Sequence, residues 1–323
     1  MPRRCCDLRD PALARRRTVL SKSETPSPSP IDRGGLAAAL GAYTIWGFMP
    51  VFFRQMSTVP ALEIIAHRVI WAVPLLLGIM AVRRQLGEYR AVLSQWPLLR
   101  WMLASSILIS INWLVYVWAV NNGQILAASF GYYLNPLLNI LIGTLFLKEK
   151  LNQTQAIAVA VAMVGVAVMG ADALDTLWIS LSLATSFGIY GLVRKMAPVG
   201  SVPGLAIETT VLLPVAMAAA FWFASSGPHP GWGSDSSTNW LLIAGGAITA
   251  IPLLLFATAA RRMDYSALGF IQYVGPTIQF FCGVILYDEP LTTTRAISFG
   301  LIWFALAIFS WDALRRMHAG RQT

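Results

Sequence analysis

The chain has 323 residues, 56% of them hydrophobic and only 12% charged, with a mean hydropathy of +0.62. Soluble domains carry about 25% charged residues, so this composition excludes a soluble globular protein. The net charge of +9 invites a nucleic-acid partner, but the basic residues are distributed as in a membrane protein, and no nucleic acid is expected.

Residues 1–34 are Arg-rich and then Ser/Pro-rich from Ser23 to Pro30, which reads as a disordered cytoplasmic tail. No small-residue cleavage site precedes an apolar core there, so a secretory signal is not expected. Cys5 and Cys6 lie in this tail and Cys282 in a later apolar segment. That spacing gives neither a disulfide framework nor a metal site, and no cofactor is expected.

From residue 35 the chain offers ten apolar segments: 35–53, 61–82, 99–120, 125–147, 153–171, 174–193, 204–225, 239–260, 265–287 and 292–314. Each suits a helical span of roughly 20 residues. Backbone in lipid must satisfy its own hydrogen bonds, which leaves helices or closed barrels, and runs this long exclude the barrel. The expected fold is all-α with ten transmembrane helices. With the N-terminus in the cytoplasm, 21 of the 24 Lys and Arg fall on the cytoplasmic side, including Arg83, Arg84, Arg194, Lys195 and the tail 315–323. The loop 225–239 has neither Lys nor Arg. This is the positive-inside pattern for an N-in, C-in chain.

The second span carries Glu63, His67 and Arg68. Charge inside a membrane is expensive and points inward to protein or water. Arg68 is therefore the first candidate to anchor an anionic or carbonyl group of a substrate. Glu63 and His67, four residues apart, share a face and are candidates for carrying a proton. The bland reading is a structural network that locks this helix. The third span adds Asn112 and Tyr116, with Asn112 the deeper. The fourth holds Tyr133, Asn135, Pro136 and Asn139, and the ninth Gln272, Tyr273, Pro276 and Gln279. Pro136 and Pro276 are expected to act as helix hinges, because proline removes a hydrogen bond to the carbonyl four residues back. The polar residues around them read either as a tight helix seam or as the wall of a central pathway. Glu208, in the seventh span, is a gate candidate opposite Glu63, with snorkelling to headgroups as the alternative. Glu149 and Glu289 each precede a peripheral span and read as structural.

These spans repeat. Ala127, Phe130, Tyr133, Pro136, Gly143, Glu149 and Leu151 recur 140 residues later as Ala267, Phe270, Tyr273, Pro276, Gly283, Glu289 and Leu291. Each copy, 35–171 and 174–314, holds five spans, and an odd number inverts the second copy in the bilayer. Inverted repeats are a hallmark of secondary transporters. No phosphate loop, nucleophile elbow or HExxH motif is present, so an enzyme is not expected.

At the level of motifs the chain resembles the drug/metabolite transporter superfamily in its EamA branch. The carrying elements are Lys148-Glu149-Lys150-Leu151-Asn152 and Asp288-Glu289-Pro290-Leu291-Thr292. It is similar to the RarD-like subgroup through Tyr43 to Gly47, Pro60 with Glu63 and His67-Arg68, Asn112-Trp113, Gly131 to Leu137, and Gln272-Tyr273 with Pro276-Thr277. The resemblance covers about residues 35–314. It implies a multi-pass carrier of the bacterial inner membrane with a central cavity, and no particular substrate. The expectation is alternating-access transport of a small metabolite or drug, proton-coupled or as an uncoupled facilitator. A membrane-embedded sensor or regulatory subunit is the rival. The expected partners are the small-molecule substrate and the lipid bilayer, and a homodimer is compatible with the pattern.

Overall fold

The computed structural model describes residues 33–146, 153–172, 174–226, 231–260, 262 and 271–319. Among these residues there is no strand. The helices are α1 (Arg33–Gly47), α2 (Met49–Arg54), α3 (Ala61–Val82), α4 (Leu86–Ser94), α5 (Trp96–Asn121), α6 (Ile125–Phe146), α7 (Gln153–Asp172), α8 (Leu174–Met196), α9 (Ser201–Ser226), α10 (Ser236–Ala260), α11 (Val274–Phe281) and α12 (Thr293–Ala319). A π-helical turn, Cys282–Leu286, extends α11. Taking α1 and α2 together as one span, eight of these helices are long and apolar enough to cross a membrane. α6 is a further helix of 22 residues, and Val274–Leu286 is shorter. The chain is a multi-pass membrane protein, helical throughout its regular structure among the described residues.

Local signals start and stop these helices where physics allows. Pro60 sits extended at the N-cap of α3 (φ −55°, ψ 135°). Pro50 opens α2 at a position where a missing amide costs nothing. Gly123, at φ +67°, turns the chain between α5 and α6, and the Gln124 amide bonds back to the Ala119 carbonyl at 2.8 Å. Arg54 donates to the last carbonyls of α5, those of Val120 (3.0 Å) and Asn121 (2.7 Å). Glu289 accepts from the first amides of α6, at Ile125 (2.6 Å) and Leu126 (2.9 Å). It thus caps α6, distant in sequence, rather than the α12 that follows it.

The ninth span departs from the single helix expected. The chain makes a turn at Gln272–Tyr273 before α11 begins. Pro276 is therefore the third residue of α11, where its absent amide would have lacked an intrahelical acceptor anyway. α6, by contrast, runs unbroken through position 136. Prolines not singled out in the sequence, Pro74, Pro214 and Pro252, lie inside α3, α9 and α10. Glu149 and the side chains of Pro136 and Asn139 lie outside the described residues.

α3 is the central helix, packed on α9, α10 and α5. Every residue from Glu63 to Val69 is buried, so its first turns are enclosed all round. The other main pairs are α1 with α10, α5 with α8, α6 with α8, α6 with α11, and α7 with α12. The α7–α12 pair is peripheral: Met163, Val164, Phe304 and Trp311 are exposed. Outward apolar side chains of this kind suit lipid contact.

Several pairs run antiparallel, as their contacts reveal. Leu126 meets Gly283, Ser129 bonds to the Pro276 carbonyl at 2.8 Å, and Tyr133 stacks on Tyr273 at 6.4 Å. One number rises as the other falls. Likewise Glu63, near the start of α3, meets Gly231 beyond the end of α9, while Tyr89, beyond the end of α3, bonds to Thr210 early in α9. In α5 and α8, Met102 lies by Arg194, Asn112 by Leu183, and Trp118 by Trp178.

Candidate functional site

The buried polar residues of α3, α5 and α9 fall at three levels. The middle level is built around Arg68. Its side chain is only 4% exposed, and its Nε donates to the Thr249 hydroxyl on α10. Its guanidinium lies 4.3 Å from the Trp113 ring centre and 5.6 Å from that of Phe53, distances suited to cation–π attraction. Trp71, one turn beyond Arg68 on α3, turns to Trp232 at 6.1 Å. Tyr116 packs on Phe53 at 6.1 Å and on Tyr132 at 5.6 Å. The Tyr132 hydroxyl donates to Asn112 Oδ1 at 3.2 Å, and the Asn112 amide donates to the Leu183 carbonyl and the Ser186 hydroxyl, each at 3.0 Å. Two buried polar atoms here have no partner, Arg68 Nη1 and the Tyr116 hydroxyl. An intramembrane Arg at the centre of a helix costs about 2.5–3.5 kcal/mol on insertion scales, so a half-satisfied one is a functional signal.

One end is closed by Glu63. Its carboxylate accepts from the Gly231 and Trp232 amides, each at 2.9 Å. This pins the segment before α10 onto α3. Trp232 then stacks flat on His67 (4.9 Å, 15°), and Val59 fills the space a Gly231 side chain would need. Only glycine fits at that approach. Glu63 and His67 do not bond to each other: both ring nitrogens of His67 are without a partner, as is Trp71 Nε1.

The other end is closed by Glu208. It is fully buried, which corrects the snorkelling alternative. Arg194 Nη1 lies 3.6 Å from it, and the Tyr190 hydroxyl donates to it at 3.3 Å. Arg194 also donates to the Gly200 carbonyl at 3.2 Å. The residues of α5 give the scale. Trp113 lies at the Arg68 level and Ser106 against the Glu208 carbonyl, about 10 Å apart at 1.5 Å per residue. Glu63 precedes Arg68 by about 7.5 Å on the same basis.

The remaining candidates from the sequence divide. Tyr133 and Tyr273 do not reach the Arg68 cluster. They line an open groove of about 410 Å³ with Thr277, Phe281, Trp303 and Ser310, and Tyr133 shares a 2.6 Å hydrogen bond with Thr277. Gln279 is buried and donates to the Trp46 carbonyl at 3.0 Å, a helix seam between α11 and α1. Asn135 is buried with Oδ1 unpartnered, and Gln272 sits half-buried in the turn before α11. The sequence reading passed over Phe53, Trp113, Thr249, Tyr190, Arg194 and Trp232. The Gly231-Trp232-Gly233 run and the Asn112-Trp113 pair were the available signals.

Residues 33–171 match the EamA-like transporter family. An uncharacterized transporter of Pseudomonas aeruginosa is 41% identical over 287 residues, spanning 88% of this chain and 96% of that protein. Protein RarD of Escherichia coli is 44% identical over 290 residues, spanning 87% of this chain and 95% of its own. A solved crystal structure, 18% identical, superposes with a TM-score of 0.58 over 86% of this chain and 98% of that one, a likeness of fold alone.

Proposed function

From a chain that belongs to the EamA-like transporter family, in its RarD-like branch, we propose a ten-helix, inverted-repeat carrier of the bacterial inner membrane, N-in and C-in, working by alternating access on a small solute bound at Arg68. The observation that carries this reading is the position of Arg68: buried, unpartnered at Nη1, and lying between two pinned ends. A carrier needs a site that faces either side in turn, with a gate toward each. Glu63 with Gly231 and Trp232 forms one gate, and Glu208 with Arg194 the other. On this reading the arrangement, with both gates pinned, corresponds to an occluded state.

The antiparallel packing supports the inverted repeat. Under the offset of 140, α6 corresponds to the ninth span, and Tyr133 meets its own counterpart Tyr273. The pairing of α1 with α10 mirrors that of α8 with α5. The units are 35–171 and 174–314. Asn112 and Tyr132 shape the site, with Asn135 one turn further along α6. Tyr133, Tyr273, Gln272 and Gln279 belong to the α6–α11 seam that must shift as the halves rock, and Asn139 is proposed with them. Glu63 and His67 remain the coupling candidates, since release of the Glu63 carboxylate by a proton would free the loop.

The test is metabolite profiling of medium and cytoplasm from cells producing the wild type or Arg68→Ala, with membrane insertion checked for both. A solute enriched outside, or depleted from the medium, only with the wild type supports the proposal. Equal flux in Arg68→Ala overturns the site, and no difference between either strain and empty cells favours the sensor reading. Collapsing the pH gradient separates coupling from facilitation: a facilitator keeps equilibrating solute.

A further inference from the structure

Resting on that reading, the chemistry around Arg68 narrows the cargo. Among the described residues no carboxylate pairs with this guanidinium: Glu63 is engaged by the Gly231 and Trp232 amides, and Glu208 by Arg194 and Tyr190. The middle level therefore holds one positive charge that no described carboxylate cancels. Arg68 Nη1 and the Tyr116 hydroxyl, both buried and without a partner, flank the same Phe53 ring. Two hydrogen-bonding groups and one net charge match a carboxylate, which accepts on both oxygens. The remaining walls are the rings of Tyr116 and Tyr132, which favour a flat apolar body.

The same walls offer little to an ammonium group. The Phe53 and Trp113 faces are already covered by the guanidinium. Thr249 Oγ1 accepts from Arg68 and donates to the Gly245 carbonyl, and Asn112 Oδ1 accepts from Tyr132. A buried ammonium there would be left unpaired beside a fixed cation, which is strongly unfavourable. We infer that the ligand of this site is an aromatic monocarboxylate without an ammonium group.

Phenylpyruvate and phenylalanine test this directly, since they share the ring and carboxylate and differ by the ammonium. The full chain is purified in detergent, and thermal stabilisation is read as binding. Phenylpyruvate and phenylacetate are expected to raise Tm at concentrations up to about 10 mM. Phenylalanine should bind at least ~10-fold more weakly, and phenylacetamide should show no effect. Arg68→Gln should abolish the shift. Tyr116→Phe, which removes one oxygen and should fold, is expected to weaken phenylpyruvate severalfold while leaving the ligand-free Tm near that of the wild type. The inference is overturned if phenylalanine matches phenylpyruvate, if the neutral amide matches phenylacetate, if both variants bind as the wild type does, or if neither carboxylate shifts Tm. Proteoliposome flux separates this from the transport reading. Binding of phenylpyruvate without gradient-driven movement leaves the ligand class standing and overturns transport. Arg68-dependent flux of a zwitterion or neutral solute does the reverse.

Discussion

Glu63 and His67 stand one helical turn apart, a spacing at which a carboxylate and an imidazole can pair. The carboxylate is drawn away because two backbone amides, at Gly231 and Trp232, converge on it at 2.9 Å. A carboxylate binding amides in a buried setting forms charge-assisted bonds, stronger than neutral ones. Glu63→Ala would leave those buried donors without an acceptor, a loss of about 1–3 kcal/mol. Hydrogen exchange at the Gly231 and Trp232 amides should then quicken by about 10- to 100-fold, and unchanged protection would mean that the latch contributes nothing to closure. Asp235 anchors the same segment from the α10 side. It accepts from the Thr238 amide (2.8 Å) and hydroxyl (2.7 Å), and these bonds, the hydroxyl first, hold its carboxyl below the ordinary Asp value. A lowered folded-state pKa contributes stability above the unfolded value of about 3.9 and loses it as pH falls through the folded value. Protection of the Thr238 amide, corrected for intrinsic exchange, should therefore be full at neutral pH and decline below about pH 4. In Asp235→Ala it should be low throughout, and a flat profile in the wild type would refute the cap.

At the scale of elements, α3 meets α10 through small residues. A side-chain carbon on Gly246 would lie 2.5 Å from the Trp71 backbone, whereas one on Gly78, on α3, would meet nothing within 4 Å. Gly246→Ala should cost about 1–3 kcal/mol through overpacking of a backbone that cannot retreat. Gly78→Ala should instead raise helix stability by up to about 1 kcal/mol. Thermal unfolding in detergent of the two variants should move in opposite directions, and a tolerated Gly246→Ala would mean that α3 and α10 pack less closely than described. The contrast also shows what a sequence can reveal. Long apolar runs mark the helices from Leu-, Ile- and Ala-rich segments alone, because lipid imposes length and polarity on each run separately. Arg68 and Asn112 were legible for the same reason, since a polar group inside such a run must face protein. What could not be read is long-range: Glu289 capping α6, Arg54 capping α5, and Trp232 lying on His67. These depend on which helix ends meet, and no local pattern encodes that. The turn at Gln272–Tyr273 was hidden because hydropathy does not distinguish a continuous span from one restarted just ahead of Pro276.

For the whole molecule, the proposed alternating access requires the two ends to open one at a time. The geometry offers a means of holding one shut. An ideal Cβ on Gly231 lies 3.2 Å from the Val59 Cβ, slightly inside the usual 3.5–4.5 Å between the Cβ atoms of a disulfide. Both residues lie just outside helix ends, Val59 before α3 and Gly231 before α10, so a shift of a few tenths of an ångström is accessible. A chain carrying Val59→Cys and Gly231→Cys, with Cys5, Cys6 and Cys282 replaced by Ser, should cross-link under oxidation. The Glu63 gate would then be fixed while the Glu208 gate stays free. Alternating access predicts that flux in proteoliposomes is abolished by the staple and restored by reductant. It further predicts that binding at Arg68 from the Glu208 side persists in the oxidised form, because a carrier locked at one gate still samples the opening of the other. A sensor that never passes solute would show binding in both redox states and flux in neither. A channel-like path that bypasses the loop would keep its flux when stapled. Only a carrier whose two gates move reciprocally loses transport and keeps one-sided binding.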